Sequence, residues 1–296
     1  MKVLNYGSLN VDYVYSVDHI IVGGETQHSS KLEVFSGGKG LNQSIALAKA
    51  GVTVYHAGIV GTDGDILLEA CKEAGVNTKY IRRLPVKGGH TMIQVDKNAQ
   101  NCIILYGGTN QMQTKEFVDE VLADFGEGDY LILQNEINML DYIIDQAYEK
   151  KMKIVMNPSP FDDKLSTCDL SKVYLFLVNE IEGEQITGCK DKDQILDAMA
   201  AKFPNARFVL TLGSDGAVYY DGKEKVFQDI FKVKAVDTTA AGDTFTGYFI
   251  AAVTAGRSIQ EALRMAAKAS SIAVSRPGAT PSIPRADEVK KELGML

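Results

Sequence analysis

Cysteine is sparse. Cys71, Cys102, Cys168 and Cys189 lie far apart and form no C-x-x-C pair, which removes both the zinc-site and the disulfide-framework patterns. Thiols this scattered suit a reducing, cytoplasmic compartment. Basic charge is also short: 31 Lys and Arg stand against 38 Asp and Glu, for a formal net charge of −7. A chain without a basic surplus is a poor match for nucleic acid, whose phosphates call for clustered Lys and Arg. Long apolar runs are missing as well. The opening stretch MKVLNYGSLNVDYVYSV is broken by Asn5, Asn10 and Asp12, so it reads neither as a signal peptide nor as a membrane span, which needs about 20 apolar residues. Only 7 prolines occur against 27 glycines, with 45% apolar residues, the composition of a folded globular chain large enough for one big α/β domain.

What is present is a rhythm. The runs KVLNYG, VTVYHAGIVG, DYLILQ, KIVMNP, VYLFLVN and RFVLTLG alternate with amphipathic stretches over Leu41–Ala50, Ile66–Ala74, Leu140–Lys150, Gln194–Phe203 and Ile259–Ser275. Near-continuous apolar strands between helices predict a mostly parallel sheet covered on both faces. Two regions, 11–35 and 88–106, break the rhythm with half-polar extended runs and no intervening helix. They are expected to pair as an antiparallel, partly exposed β-sheet lid on a single α/β domain spanning 1–296. Exposed lid edges predict a homodimer in which another copy covers them.

Several short motifs carry polar residues at strand ends. In LNVD, Asn10 and Asp12 alternate on an extended segment and point to one side, where they can grip sugar hydroxyls or simply end the strand in an Asx turn. SGGKGLNQSIALAKAG places Gly37, Gly38 and Gly40 before a helix; it is a binding loop or a tight turn, and not a Walker A loop, because Lys39 is followed by Gly40. Glu136 follows the apolar run LILQ, at the end of a strand where α/β sheets bind ligands. Asn179 and Glu182 open a helix, either as ordinary first-turn polar groups or as holders of hydrated Mg²⁺. TLGSDG offers Thr211, Gly213, Ser214 and Gly216 as a phosphate loop or as hairpin punctuation.

The richest stretch is VDTTAAGDTFTGYF. Phe245, Phe249 and Val253 recur at helical spacing, with Ala240, Ala241 and Gly242 at the helix start. Small residues leave backbone N–H groups open to an anion. Asp243 beside them is either an N-cap or the base of a phosphoryl transfer.

Taken together, GSLNVD, GGKGLNQ, NEIEGEQITG, TLGSDG, DTTAAGDTFTG and RPGATPSIP resemble, in order and spacing, the ribokinase branch of the PfkB carbohydrate-kinase family. The resemblance implies a ribokinase-like three-layer αβα body with a mostly parallel sheet and a β-sheet lid, and ATP-dependent phosphorylation of a small sugar, ribose first. It implies Asp243 as base and Ala240, Ala241 and Gly242 as the anion hole. Asn10, Asp12, Gly38, Lys39, Gly40, Asn42 and Glu136 match sugar-binding positions. Asn179 and Glu182 match the segment organising Mg²⁺ and phosphates, and Thr211 to Gly216 match the nucleotide loop. A K⁺ site would involve Asp237, Thr239, Ala273, Arg276, Gly278 and Ser282, mostly through carbonyl oxygens. Two departures stand out: KGGHTMIQV, with His90 and Gln94, replaces a Ser-Thr-Gly lid segment, and Lys268 stands beside the expected adenine site where ribokinases tend to carry Asn or His. Nucleosides and other furanoses, with Tyr13, Tyr15 and Tyr106 as possible stacking groups, and a non-catalytic sugar-responsive role are the competing readings.

Overall fold

In the computed structural model, which describes residues 1–98 and 100–295, the apolar runs form the middle layer. From the N-terminus, β1 (Val3–Tyr6) is followed by β2 (Asn10–Ser16), β3 (Lys31–Gly37), α1 (Lys39–Lys49), β4 (Val54–Val60), α2 (Asp65–Ala74), β5 (Asn77–Arg83), β6 (Gly89–Val95) and β7 (Asn101–Tyr106). The remainder runs α3 (Lys115–Leu122), β8 (Tyr130–Gln134), α4 (Leu140–Glu149), β9 (Lys153–Asn157), β10 (Leu175–Asn179), α5 (Glu180–Thr187), α6 (Lys192–Lys202), β11 (Arg207–Thr211), β12 (Ala217–Tyr220), β13 (Lys225–Gln228), α7 (Ala241–Thr254), α8 (Ile259–Val274) and α9 (Ala286–Glu292).

The large sheet has the order β13-β12-β11-β10-β9-β8-β1-β4-β5, parallel from β5 to β11 and closed by the antiparallel β12 and β13. Because successive side chains leave a strand on opposite faces, each strand feeds two cores. Ile132, Leu175 and Leu177 join α1, α7 and α8 through Leu41, Ile45, Phe249 and Leu263 on one side. Leu131, Leu133 and Phe176 join α3, α4 and α6 through Phe117, Ile143 and Leu196 on the other. The result is three layers, helices covering both faces of the sheet. None of the described helices is long and apolar enough to cross a membrane.

The lid is a four-stranded sheet, β3-β2-β6-β7. Its two hairpins are antiparallel as expected, but β2 and β6 run parallel, with Asn10 opposite Gly89 and Ser16 opposite Val95. The reason lies in the topology. Each hairpin begins where the chain leaves a strand of the parallel body, after β1 and after β5, so both first strands set out in the same direction. Ala99, within the 88–106 segment, lies outside the described residues. β3 and β7 are the sheet's two edges; along β7, Ile103, Ile104 and Tyr106 are 54%, 62% and 52% exposed.

His56 on β4 is wholly buried and bonded through Nδ1 to Ser44 Oγ of α1 at 2.7 Å. Burial, only partly offset by the Gly7 backbone, pushes its pKa from 6.5 down to about 4. An unfolded chain therefore takes up this proton below about 6.5 while the native protein resists until about 4, so stability is complete above that window and falls through it as the pH drops. Urea denaturation of the wild type is expected to lose about 2 kcal/mol more than His56→Gln between about pH 7.5 and about pH 5. Parallel pH dependence of the two proteins would remove His56 as the cause.

Candidate active site

The site begins with two helices that come unusually close. A Cβ built on Gly247 of α7 would fall 2.4 Å from Ala46 Cβ and 2.9 Å from Leu47 N of α1. Only glycine permits that approach. Asp243 lies one turn before Gly247, on the same helix face, and Asn42 and Gln43 lie one turn before Ala46 and Leu47. The contact therefore brings both amides to the carboxylate: Asn42 Nδ2 donates to Asp243 Oδ2 at 3.0 Å and Gln43 Nε2 to Oδ1 at 2.9 Å. Asp243 is not a cap. Ala240 occupies the N-cap position, makes no side-chain cap bond, and holds a left-handed φ of 59°.

That left-handed turn aims the start of α7 at a cleft of about 230 Å³ lined by Lys39, Asn157, Asn179, Glu182, Thr211, Thr238, Ala240, Ala241, Gly242, Asp243 and Thr246. The three expected anion-hole residues are all in its wall, but their amides differ. Ala241 N–H donates to Thr238 O at 3.2 Å and is engaged by the turn that Ala240 closes. The Gly242 and Asp243 amides donate to no protein acceptor among the described residues. Lys39 is the cation of the cleft. Burial works against its charge, but the Asp243, Glu136 and Glu182 carboxylates outweigh it and hold its pKa above the ordinary lysine value.

The sugar-side residues meet around the α1 entry. Gly38 takes φ 93° at the N-cap, and a Cβ on Gly40 would lie 2.4 Å from Ser8 N, so α1 starts in contact with the end of β1. Glu136, after β8, accepts from Lys39 N at 3.0 Å and from Ser8 Oγ. Burial raises its pKa against the opposing pull of Lys39 and Ser8. Asn10 and Asp12 follow on β2, pinned rather than free: Asn110 Nδ2 donates to Asn10 Oδ1 at 2.7 Å, and Thr91 Oγ1 donates to Asp12 Oδ1 at 2.5 Å. Burial raises the Asp12 pKa, with the Thr91 bond opposing it.

On the nucleotide side, Asn179 and Glu182 form a reciprocal capping box on α5, Oδ1 accepting from Glu182 N at 2.8 Å and Oε2 from Asn179 N at 3.0 Å. Among the described residues the second Glu182 oxygen has no protein bond, and Glu182 lines the cleft. Thr211 lines the cleft, whereas Gly213, Ser214 and Gly216 lie outside it and turn β11 back into β12. Lys268 is also outside; it pairs with Glu292 at 3.6 Å and sits 4.4 Å from the Phe231 ring centroid, tying α8 to α9 and to the loop before α7. Asp237 joins the two halves of the expected cation loop. Its Oδ1 accepts from Thr239 N and Oγ1, and its Oδ2 from Gly278 N at 2.9 Å. These bonds outweigh burial and lower its pKa. Arg276 bonds Glu288 and Ser282 Oγ donates to Ala279 O; Ala273 O accepts from Arg276 N. Sequence patterns do not single out Gln43, Asn157, Thr238 or Thr246: Gln43 and Thr246 lie on two facing helices, Asn157 ends β9 and Thr238 lies in the loop before α7, and contact between separate elements leaves no periodic mark.

The pfkB carbohydrate-kinase family model matches residues 1–286. Ribokinase of Haemophilus influenzae is 33% identical over 295 residues, covering 95% of each chain. Deoxyribokinase of Salmonella typhi is 27% identical over 304 residues, covering 100% of this chain and 99% of its own. The solved structure of Arabidopsis thaliana ribokinase complexed with ribose and ATP has a TM-score of 0.87 at 29% identity, over 99% of this chain and 98% of that one.

Gly247→Ala is expected to push α7 off α1. It should cost about 1–3 kcal/mol from overpacking and lower turnover through displacement of Asp243 from its two amides. Thermal melting together with steady-state kinetics checks this; unchanged stability and turnover would show that the helix contact does not set the site.

Proposed function

The chain belongs to the pfkB family of carbohydrate kinases, in its ribokinase branch, and from that premise we propose that it transfers the γ-phosphoryl group of ATP to the hydroxymethyl group of D-ribose, giving ribose 5-phosphate. The observation that carries this reading is the Asp243 carboxylate, fixed beside the free Gly242 amide and the Lys39 cation in one cleft. The sugar oxygen forms its bond to the γ-phosphorus as the bond to the β,γ-bridging oxygen breaks and ADP leaves. Asp243 takes the hydroxyl proton. The Gly242 and Asp243 amides and Lys39 face the charge on the transferred group, which is where such a reaction gains most.

Asn10, Asp12 and Glu136 are the proposed sugar grip, oxygen-rich and acidic. An acceptor that already carried a phosphate would meet the Asp12 and Glu136 carboxylates beside the cleft, with Lys39 as the one cation of the cleft wall among the described residues, so a neutral sugar is preferred. Glu182 offers one uncommitted carboxylate oxygen, which fits Mg²⁺, an ion that keeps most of its waters and needs few protein ligands; when bound it neutralises phosphate charge. A monovalent cation such as K⁺ would sit beside Asp237, whose Oδ2 accepts one bond among the described residues and whose bonds reach Thr239 and Gly278, with Ala273 and Ser282 as further proposed ligands; Arg276, occupied by Glu288, would offer only its carbonyl. The four free cysteines support a reducing, cytoplasmic setting.

A 2-deoxy sugar is the competing acceptor, favoured by the full-length likeness to deoxyribokinase. A coupled assay over pentoses, 2-deoxyribose, hexoses and nucleosides is expected to give ribose at least about tenfold higher kcat/KM than 2-deoxyribose, since a site built to bond a hydroxyl rejects the analogue lacking it. Equal or reversed preference would assign the deoxy sugar. Asp243→Asn should keep fold and substrate affinity while losing at least about 10²-fold in kcat; near-normal kcat would remove it as base. For the exposed lid strand we propose a second copy as its cover. Sedimentation should give a dimer that Ile104→Glu converts to a monomer, and a wild-type monomer at micromolar concentration would refute the dimer.

A further inference from the structure

The roles assigned to the cleft residues leave Gln43 unexplained. It is fully buried and is absent from the cleft wall, yet it bonds the carboxylate that faces the cleft. It is also the first link of a buried chain of side chains that crosses the body. Gln43 Oε1 accepts from Gln134 Nε2 at 2.7 Å, and the same Gln134 Nε2 donates to Asn5 Oδ1 at 3.0 Å. Asn5 Nδ2 donates to Gly40 O at 2.7 Å and to Ser44 Oγ at 2.9 Å, and Ser44 Oγ meets His56 Nδ1. The other hydrogen of the Gln43 amide reaches Asn157 Oδ1 at 3.2 Å.

The direction of every bond from Asp243 through Gln43, Gln134 and Asn5 to Gly40 O is forced from both ends. An ionised carboxylate only accepts, so Gln43 must turn its NH₂ toward Asp243 and its oxygen toward Gln134. A backbone carbonyl only accepts, so Asn5 must turn its NH₂ toward Gly40 O and its oxygen toward Gln134. Gln134 then donates to both, as observed. No member can flip its amide without setting two oxygens or two NH₂ groups against each other. Among the described residues Gln134 Oε1 and His56 Nε2 are left buried without a partner, a cost that an apolar core at the same place would avoid while holding the helices together. What the network supplies in addition is a single orientation for the Gln43 amide.

We propose that Gln43, oriented by Gln134 and Asn5, is a positioning residue for phosphoryl transfer: it fixes Asp243 Oδ1 from behind so that the carboxylate faces the acceptor hydroxyl. Asn42 Nδ2 holds the other oxygen, but among the described residues the Asn42 oxygen has no partner, whereas the Gln43 amide is bonded through both its NH₂ and its oxygen, so Gln43 is the anchored half of the clamp. The proposal rests on Asp243 being the base.

The test is a double-mutant cycle in the full-length enzyme with its best sugar and ATP. Gln43→Leu is expected to lower kcat by about tenfold or more, with both KM values within about twofold, the mark of an interaction that matters only in the transition state. In an Asp243→Asn background the same change is expected to cost nothing further, because residues acting through one another are not additive. A folded Gln43→Leu enzyme with wild-type kcat, or an equal loss in both backgrounds, overturns the proposal. If Gln43→Leu does not fold, Gln43→Asn replaces it with the same expectations, since the shorter amide remains polar but cannot span from Gln134 to Asp243. Undiminished turnover in Asp243→Asn alone overturns the base assignment itself, and is read separately from the Gln43 result.

Discussion

Asp243 reaches α1 only because Gly247 lets α7 lie against Ala46, and the chemistry of the cleft is built on that near-contact. Packed helix axes sit about 8–10 Å apart depending on the side chains between them, and here it is a glycine of α7 and an alanine of α1 that stand at the contact. The same economy of side chains operates at Gly40, where α1 meets the end of β1, and in the Ala-Ala-Gly start of α7. Small residues here do not loosen the structure. They bring backbones close enough for polar groups on different elements to share one cleft.

Charge is concentrated at the cleft. Three carboxylates, Asp243, Glu136 and Glu182, surround the single ammonium of Lys39, whose pKa they hold up despite burial. In the function proposed above, a neutral polyol would donate its hydroxyls to these carboxylates and the polyphosphate would bring its own cation. The pinned Asn10 and Asp12 extend the acidic, oxygen-rich surface onto the lid, which joins the body at four chain crossings, β1–β2, β3–α1, β5–β6 and β7–α3.

The body of the fold was legible because burial on both faces writes an unmistakable pattern: DYLILQ and VYLFLVN are apolar almost throughout, and each became a central strand. The start of α7 was legible for a similar reason, since a run of small residues before an apolar helix has few structural uses. The parallel pairing of β2 with β6 was not, because it depends on where each hairpin leaves the body and not on any local residue. Nor was the loss of the Ala241 amide to Thr238, which follows from a single left-handed residue, Ala240, of a type that rarely adopts that conformation. In TLGSDG, hairpin punctuation and phosphate loop look alike in sequence, and the structure places Thr211 in the cleft while Gly213, Ser214 and Gly216 make the turn. Gln43 stood in plain view in GGKGLNQ, but a side chain that acts across a helix interface has no spacing rule to betray it.

The central claim is that a fixed carboxylate and the open amides of one helix start meet the same transferred group. A crystal structure with D-ribose, ADP, Mg²⁺ and aluminium fluoride tests it most directly. The account predicts the fluoride group within about 3 Å of the Gly242 and Asp243 amides, and the sugar hydroxymethyl oxygen within about 3 Å of an Asp243 oxygen. Fluoride bound away from the start of α7, or a sugar whose hydroxymethyl group faces another acid, would contradict it.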